Sequence, residues 1–462
     1  MNYTRRTWLT AAGAVGFGAA LTRCGGGDPL APATTDAASA PLADAARSRS
    51  TTPKVVSGTT GRVIVVGGGM AGLAAAKYLR LWGGSGVQVT LIERNPSYTS
   101  NILSNLVLTG QRTLSSLVYS YATVRQNYGV DIRQGNVVGI DPVRKRVTLA
   151  DSSTLDYDRL IVAPGVVFDV LPGLETAAAR SRVVHAWQAG PETTTLRNQL
   201  LAMPAGGTFV MTIPASPYRC PPGPYERACV VADWIKKNRR STGYSKPQVY
   251  VLDANASILA EPHNFSTAFN SIHAGVVSYV PNATVVSVDA DAGKIVTTAG
   301  DFTGNVLNVI PNHTAGKIAR DAGLATAPPT DGGGVFCPVD VLTYESTVVS
   351  GVHVLGDASA TTQPKAGHVA NSEAKVCADA LVRLLSSPVL PLDKAPVTNS
   401  ACYSPITATT ASWLSVVYHY DPVSKTMKAA PGQPVEAPAI TTSNYSQMNT
   451  WFKVLMSDTF GT

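Results

Sequence analysis

A glycine-rich turn between a strand and a helix is the feature that most restricts how this chain can fold. Residues 62–66 (RVIVV) indicate a buried strand, and Gly67, Gly69 and Gly72 follow it in the order G-x-G-x-x-G. Residues 73–81 are helix-forming. In this setting the first glycine permits the tight turn, the second lets the backbone approach a pyrophosphate, and the third lets helix and strand pack closely. The segment predicts a βαβ unit that binds a dinucleotide at the N-terminus of its helix.

A second predicted strand, residues 87–92, ends at Glu93, which lies 21 residues beyond Gly72. A carboxylate at this distance is typical of dinucleotide-binding folds, where it accepts hydrogen bonds from the ribose hydroxyls. We expect Glu93, with Arg94 beside it, to contact the cofactor. The alternative is a glycine-rich turn that holds no ligand, and the flanking strand and helix argue against it.

Two further motifs indicate which dinucleotide is bound. Residues 156–165 and residues 351–358 occur in that order along the chain. They resemble the second and third motifs of flavoproteins with two dinucleotide-binding domains, in which an aspartate holds the ribityl chain. The resemblance implies FAD as the cofactor, although Asp357 as an ordinary loop residue remains the alternative. The cofactor-binding residues that it implies are Ala163, Gly165, Gly356 and Asp357.

The length and composition suit a protein of several domains. The chain has 462 residues, of which 45% are hydrophobic, 15% are charged and 40 are glycine, and a single core rarely extends so far. We predict an α/β fold with two Rossmann-like dinucleotide-binding domains, as in glutathione reductase, and a C-terminal α+β interface domain. The predicted boundaries are 1–27 for an export signal, 28–60 for a flexible linker, 61–176 and 304–388 for the FAD-binding domain, 177–303 for the second Rossmann-like domain, and 389–462 for the C-terminal interface and flavin-capping domain.

The N-terminus predicts export to the periplasm. Arg5 and Arg6 have the twin-arginine form and precede a short apolar run at residues 9–21. Cys24 raises the alternative of a lipid anchor, although Arg23 before it departs from the usual small-residue pattern. No stretch of eighteen apolar residues occurs, so a transmembrane helix is not predicted.

The net charge argues against nucleic acid as a partner, and the cysteine spacing argues against a metal site or an attached haem. The formal net charge is +7, and removal of a leader with three arginines and no acidic residue lowers it to +4. This charge is too small, and the basic residues are too scattered, to indicate nucleic acid. No C-x-x-C or His/Cys cluster at zinc spacing is present, and no C-x-x-C-H motif, so neither a metal site nor an attached c-type haem is predicted.

The second predicted dinucleotide-binding domain departs from the usual pattern at its first turn. The strand at residues 208–213 leads into residues 214–220 (PASPYRC) instead of a glycine fingerprint. Proline has no amide hydrogen to offer a pyrophosphate. NAD(P)H binding is therefore not expected, and the electrons should take another route.

Longer motifs carry a more specific resemblance. They are residues 218–228 (YRCPPGPYERA) and 336–340 (FCPVD), supported by residues 402–404 (CYS) and 458–461 (DTFG). On these motifs the chain resembles, over residues 61–461, the flavoprotein subunit of flavocytochrome c sulfide dehydrogenase. The resemblance implies an enzyme that oxidises sulfide and passes electrons through FAD to a haem-carrying cytochrome c subunit.

The resemblance also implies a redox-active disulfide between Cys220 and Cys337 at the flavin face. Sulfide would attack one sulfur, leave a persulfide and release a thiolate that passes two electrons on. Glu226 is expected to transfer protons, and Lys365 to place positive potential at the flavin pyrimidine. The two cysteines are 117 residues apart, so a purely structural disulfide in an exported protein is the alternative.

One departure from the family concerns the link to the flavin. Many members attach FAD covalently to a cysteine at the position that Asn101 occupies here, just before residues 103–105 (LSN). We therefore expect FAD to be bound non-covalently, with Asn101 at the flavin edge. Two other functions stay open, a sulfide:quinone reductase and a non-catalytic flavin electron-transfer protein with a structural disulfide. Cys229 and Cys377 are predicted to be buried thiols, and Cys402 has no assigned role.

Overall fold

The computed structural model describes residues 55–240, 246–327 and 335–462. The predicted export signal, Cys24 and residues 28–54 of the predicted linker lie outside these residues.

The first part of the chain forms a parallel sheet around its first strand. That strand pairs in parallel with the strand after the first helix and with the strand that ends at Val162. The strands are β1 Gly61–Val66, β2 Val87–Glu93, β3 Ser97–Thr99, β4 Val118–Ser120, β5 Asp131–Gln134, β6 Val137–Asp141, β7 Arg146–Leu149, β8 Thr154–Asp156, β9 Arg159–Val162 and β10 Val166–Phe168, and the helices are α1 Met70–Gly83, α2 Asn105–Leu108 and α3 Ala122–Tyr128.

The middle of the chain forms a second, smaller parallel sheet and an antiparallel meander. Its strands are β11 Phe209–Ile213, β12 Val249–Asp253, β13 Val277–Val280, β14 Val285–Asp289, β15 Lys294–Thr297, β16 Gly300–Thr303 and β17 Val306–Asn308, and its helices are α4 Ala177–Arg182, α5 Pro191–Ala202, α6 Gly223–Asn238 and α7 Pro262–Thr267, followed by a π-helical turn at Ala268–Ile272. The strand order in the parallel sheet is β13-β12-β11-β17.

The last part returns to the first sheet and then adds a separate antiparallel sheet. Its strands are β18 His313–Ala315, β19 Cys337–Asp340, β20 Glu345–Ser346, β21 Val352–Val354, β22 Ser359–Ala360, β23 Val397–Pro405, β24 Ala411–Asp421, β25 Thr426–Ala429 and β26 Val435–Glu436, and its helices are α8 Lys317–Asp321, α9 Gly367–Leu384 and α10 Thr442–Phe460. The completed first sheet has the order β22-β19-β20-β21-β9-β1-β2-β5.

The sequence explains why the first sheet is covered on both faces. Residues 63–66 of β1 are all buried, as expected for a parallel strand with helices above and below it. Helix α1 contributes Leu73 and three successive alanines to the same core, which also contains Val376 of α9 and Phe452 of α10. The small alanine side chains let α9 pack closely along α1. The C-terminal helix therefore shares a core with the first domain.

The predicted fold class is confirmed, because two Rossmann-like parallel sheets are followed by a C-terminal α+β part. Cys229 and Cys377 are fully buried, as predicted. Within the described ranges, no helix is long and apolar enough to cross a membrane.

Candidate active site

A cavity of about 860 Å³ lies at the carboxyl ends of β1, β2 and β9. Ligands in open parallel sheets usually bind at this edge, and the volume falls in the range of about 300–1,000 Å³ that is typical of cofactor sites. The second domain and β23 of the C-terminal sheet supply the opposite wall. The cavity therefore joins all three parts of the described chain.

The glycine turn has the geometry that a bound dinucleotide requires. Gly67 has φ +103°, and a Cβ there would lie 2.3 Å from the carbonyl oxygen of Ala163. A Cβ at Gly72 would lie 1.9 Å from the carbonyl oxygen of Gly67, whereas a Cβ at Gly69 would meet nothing within 4 Å. Gly67 and Gly72 thus allow close packing, and Gly69 faces open space at the N-terminus of α1. A pyrophosphate fits this open, amide-rich position.

Glu93 lies beside the same turn, at the end of β2. Its Oε2 accepts a hydrogen bond from the Gly68 amide at 2.7 Å, and its Oε1 accepts from the backbone and side-chain nitrogens of Asn95 at 2.9 and 2.8 Å. The carboxylate is therefore fixed at the cavity wall with Arg94 next to it. Across the cavity, burial raises the pKa of Asp357, and the nearby Arg219 opposes that shift.

The predicted site residues fall into two groups. Three do not line the cavity: Gly72 packs beneath the turn, and Cys337 and Lys365 are buried beside the wall. The predicted residues that line it are Gly67, Gly69, Glu93, Arg94, Asn101, Ala163, Gly165, Cys220, Glu226, Gly356 and Asp357.

Asn101 occupies the position at which the resembled family often carries a cysteine bonded to the flavin. Its Oδ1 accepts a hydrogen bond from the Ala189 amide at 2.7 Å. The side chain thereby ties the first domain to the loop before α5, at the cavity wall. An amide cannot form the thioether that a cysteine would form at this position.

Cys220 stands in the cavity wall just before α6. Its φ is +60°, a left-handed conformation that is uncommon for residues other than glycine. Its amide donates to the carbonyl oxygen of Lys365 at 2.7 Å, and its own carbonyl accepts from the Gly223 amide at 2.9 Å. A Cβ at Gly223 would lie 2.9 Å from the Cys220 Sγ, so only glycine leaves room for the sulfur. Burial raises the thiol pKa, and Arg219 opposes the shift.

Cys337 begins β19 and is completely buried. Burial raises its thiol pKa to about 12, and the charge of Lys365 acts in the opposite direction. Both cysteines therefore border Lys365, Cys220 through a backbone hydrogen bond and Cys337 through the ammonium charge. The predicted disulfide is not formed in this structure, because all five cysteines in the described residues are free thiols.

Lys365 is buried beside the cavity and does not line it. Its Nζ donates to the carbonyl oxygens of Asp357 and Ser359, both at 2.9 Å, and lies 3.5 Å from the centroid of the Phe336 ring. A buried ammonium needs such partners. Burial lowers the Lys365 pKa to about 8. Its charge acts on Cys337, and its effect on the flavin stays a prediction.

Glu226 is held at the cavity wall by Asn105, which the sequence analysis did not single out. The Asn105 Nδ2 donates to the Glu226 Oε1 at 2.9 Å and to the carbonyl oxygen of Gly223 at 3.1 Å, and its Oδ1 accepts from the Arg227 Nε at 2.8 Å. Burial raises the Glu226 pKa to about 8. At neutral pH this carboxyl group can therefore hold a proton at the cavity wall.

Arg227 organises the wall behind Glu226 and was also missed. Its guanidinium donates to Asn308 Oδ1 and to the carbonyl oxygens of His185 and Ala186, at 2.7 to 2.9 Å. It also lies 4.6 Å from the centroid of the Trp187 ring. This fully buried cation fixes the loop before α5 against α6, so Arg227 is a positioning residue. The available sign in the sequence was that Arg227 directly follows the acidic Glu226 in residues 225–228 (YERA).

The C-terminal part contributes directly to the cavity. Cys402, Tyr403 and Trp451 line it, and the Ala401 amide donates to the Nδ1 of His368, another lining residue, at 3.0 Å. These contacts make β23 and α10 part of the cavity wall, and the flavin-capping role of the C-terminal part stays a prediction. Among the described residues, no group of three His, Cys, Asp or Glu side chains is placed to hold a metal ion.

Comparison with known families matches two adjoining segments of the chain. Residues 193–311 match the family described as "Sulfide dehydrogenase [flavocytochrome c] flavoprotein chain, central". Residues 61–197 match "Pyridine nucleotide-disulphide oxidoreductase". The first segment contains α6 with Glu226, and the second contains the glycine fingerprint.

Similar curated proteins match less than a quarter of this chain. Ferroptosis suppressor protein 1 of Taeniopygia guttata is 36% identical over 104 residues, which are 22% of this chain and 26% of that protein. Rhodocoxin reductase of Rhodococcus erythropolis is 34% identical over 113 residues, 24% of this chain and 26% of the relative. The chain thus matches about a quarter of the length of these relatives.

Solved structures match over most of the chain and show the fold. The sulfide:quinone oxidoreductase of Aquifex aeolicus has a TM-score of 0.68 at 16% identity, with 87% of this chain and 91% of that chain covered. A putidaredoxin reductase in covalent complex with putidaredoxin has a TM-score of 0.60 at 16% identity, with 87% and 94% covered. The two family matches and the motifs around Cys220 and Cys337 support a flavoprotein oxidoreductase similar to the flavoprotein chains of flavocytochrome c sulfide dehydrogenase, and the solved structures show the fold.

Proposed function

We propose that the chain is an FAD-dependent sulfide dehydrogenase that oxidises sulfide at Cys220 and Cys337 and delivers the electrons to a cytochrome c subunit. The observation that carries the proposal is the position of Cys220. It stands in the wall of a flavin-sized cavity, where the second domain of a pyridine nucleotide enzyme would present glycines. The protonated Glu226 lies in the same wall.

The two thiols in this structure correspond to the reduced form of the proposed pair. In the oxidised form, Cys220 and Cys337 share a disulfide next to Lys365. Hydrosulfide attacks the Cys220 Sγ, the S–S bond breaks, and Cys337 leaves as a thiolate while Cys220 carries a persulfide. The cavity-facing position of Cys220 and the burial of Cys337 support this direction of attack.

Lys365 and Glu226 support the two sulfurs in different ways. The Lys365 ammonium lowers the pKa of Cys337 and so stabilises the leaving thiolate. Glu226 holds a proton at neutral pH for the sulfur on Cys220. When bound, FAD supplies the acceptor for the electron pair that the Cys337 thiolate carries. Gly67, Gly69 and Glu93 would hold its dinucleotide part, and we propose that it is bound without a covalent link at Asn101.

The cellular setting follows from sequence features and is part of the proposal. Arg5 and Arg6 support twin-arginine export to the periplasm, and the family description supports a cytochrome c partner. Replacement of both arginines with lysine should leave the protein in the cytoplasm. Recovery of that variant in the periplasmic fraction at the normal level would contradict export by this route.

The test is sulfide-dependent reduction of oxidised cytochrome c by the purified holoenzyme, with Cys337→Ser beside it. We expect turnover in the wild type and its loss in the variant. Cys377→Ser is the matched control, because Cys377 is equally buried but lies in α9, outside the cavity lining. Equal turnover of Cys337→Ser and the wild type would contradict a role for the pair.

A sulfide:quinone reductase is the second candidate, favoured by the fold similarity to the Aquifex aeolicus enzyme. The same assay separates the two functions when a soluble quinone replaces cytochrome c as the acceptor. Faster oxidation by the quinone, with no reduction of cytochrome c, would favour the second candidate.

A further inference from the structure

A third thiol faces the cavity beside Cys220. Cys402 lies on β23 and is half-buried, like Cys220, and both side chains line the same cavity together with Glu226. Strand β23 packs against α6, the helix that begins directly after the Cys220 segment. A negative charge on Cys402 raises the pKa of Cys220, which places the two sulfurs within electrostatic reach. Cys337, in contrast, does not line this cavity.

A buried carboxyl group lies behind Cys402. Glu261 is completely buried, and its Oε1 accepts a hydrogen bond from the Ser404 Oγ at 2.5 Å. Its Oε2 has no hydrogen-bond partner among the described residues. Ser404 is two residues beyond Cys402, and alternate residues of a strand share a face. Burial raises the pKa of Cys402 to about 12, and the charge of an ionised Glu261 acts in the same direction, so a negatively charged Glu261 favours the thiol over the thiolate.

Glu261 and Glu226 are two buried carboxyl groups whose pKa values lie near neutral pH. Burial raises the pKa of Glu261 to about 7 and that of Glu226 to about 8. Both carboxyl groups can therefore exchange protons near neutral pH. Cys402 lines the cavity with Cys220 and Glu226, and Ser404, two residues further along β23, donates a hydrogen bond to Glu261.

We propose that Cys402 is a sulfur-accepting thiol that removes the outer sulfur atom from the persulfide of Cys220. This inference rests on the proposed function, which forms that persulfide. Glu261 takes the proton of Cys402, and the Cys402 thiolate attacks the outer sulfur. The bond between that sulfur and the Cys220 Sγ breaks, and the Cys220 thiolate takes a proton from Glu226. Cys402 now carries the persulfide, and no net oxidation or reduction occurs.

The transfer has a clear use in the catalytic cycle. Cys220 must lose its outer sulfur before it can form a disulfide with Cys337 again. Transfer to Cys402 frees Cys220 without release of the bound sulfur into solution. The first electron delivery does not require Cys402. Every later turnover does, once a second hydrosulfide has attacked the outer sulfur on Cys402, left as hydrogen disulfide and restored the Cys402 thiol.

The experiment follows the sulfur atom directly. The anaerobic holoenzyme is given one equivalent of sulfide, alkylated, digested and analysed by mass spectrometry for persulfide at each cysteine. In the wild type we expect persulfide on Cys402. In Cys402→Ser it should remain on Cys220, the first flavin bleaching should stay within about twofold, and steady-state turnover should fall by roughly tenfold. Cys377→Ser, buried elsewhere, should behave as the wild type.

Several outcomes would overturn the inference. Absence of persulfide from Cys402 in a wild type whose flavin is bleached by sulfide would contradict it and leave the proposed function intact. Normal turnover of Cys402→Ser would do the same. If sulfide does not bleach the wild-type flavin, the proposed function fails and the inference fails with it. Glu261→Gln should slow the transfer without any change in the first bleaching, and a normal transfer rate would contradict the role of Glu261.

Discussion

The two Rossmann-like domains begin with the same strand-turn-helix unit but present different groups at the helix N-terminus. In the first domain, residues 67–69 join β1 to α1. In the second domain, residues 214–222 join β11 to α6. The short turn leaves open space at Gly69, whereas the long, proline-rich turn places the Cys220 thiol at the cavity wall.

The difference shows how one local environment can serve two kinds of chemistry. A helix N-terminus favours negative charge. A glycine turn uses that field to hold a phosphate. At Cys220 burial outweighs this field and raises the thiol pKa. In this chain, the segment that joins β11 to α6 places a thiol at the wall of the cavity that all three parts of the described chain line.

The largest expected effect is that of Cys220→Ser. Serine keeps the size of the side chain but cannot form a disulfide or a persulfide, so sulfide-dependent turnover should fall on the order of 10³-fold or more. FAD content and the melting temperature should stay as in the wild type. A variant with intact turnover would show that Cys220, in the turn between β11 and α6, does not react with sulfide.

Glu226→Gln should have the next largest effect, a loss of turnover of about 10²-fold. The wild-type rate should also decline as the pH rises above about 8, because Glu226 then loses its proton. The variant should lack that decline. A pH profile of sulfide oxidation for both proteins checks this expectation, and an unchanged alkaline limb in the variant would assign the titration to another group.

The same carboxyl group should make stability depend on pH. Folding raises its pKa from 4.5 to about 8, so the folded state keeps a proton that the unfolded state loses between these values. The free energy of unfolding should therefore fall as the pH rises through this window, and Glu226→Gln should reduce that slope by about 1.4 kcal/mol per pH unit. Denaturant unfolding at several pH values measures the slope, and equal slopes in the two proteins would contradict the buried, neutral state.

Two glycine variants separate packing from cofactor binding in the first turn. Gly72→Ala places a methyl group 1.9 Å from the Gly67 carbonyl oxygen, so it should lower the free energy of unfolding by roughly 3 kcal/mol. Gly69→Ala meets no protein atom within 4 Å and should weaken FAD binding while stability changes by less than about 0.5 kcal/mol. Denaturant unfolding and FAD content distinguish the two, and similar behaviour would contradict the separate roles.

The smallest expected effect concerns the covalent bond to flavin that Asn101 cannot form. Acid precipitation of the wild-type holoenzyme should release all its flavin into the supernatant, because an asparagine cannot form a thioether. Absorbance of the supernatant measures the released fraction. Flavin that remains with the precipitate would reveal attachment at another residue.

Contiguous motifs made much of this site predictable from the sequence. The turn at Gly67, Gly69 and Gly72, and the carboxylate of Glu93, depend on neighbours close in the chain, so the pattern alone indicates their geometry. Cys220 was also recognised, because a long motif surrounds it. In each case the signal was local.

Residues that reach the site only through tertiary packing could not be singled out from the sequence. Asn105 contacts Glu226 of α6 from a distant segment, and Glu261 is linked to β23 by its hydrogen bond from Ser404. The sequence also does not show that the buried ammonium of Lys365 donates to the carbonyl oxygens of Asp357 and Ser359. The CYS motif at residues 402–404 was the one available sign of the third thiol.

The most direct measurement compares two electron donors on the same holoenzyme. Flavin absorbance is followed in an anaerobic stopped-flow instrument after mixing with sulfide, and separately with NADH. If the turn between β11 and α6 supplies a thiol that reacts with sulfide and does not bind NADH, sulfide bleaches the flavin rapidly and NADH does not. Rapid bleaching by NADH, with a flavin that sulfide leaves unchanged, would contradict it.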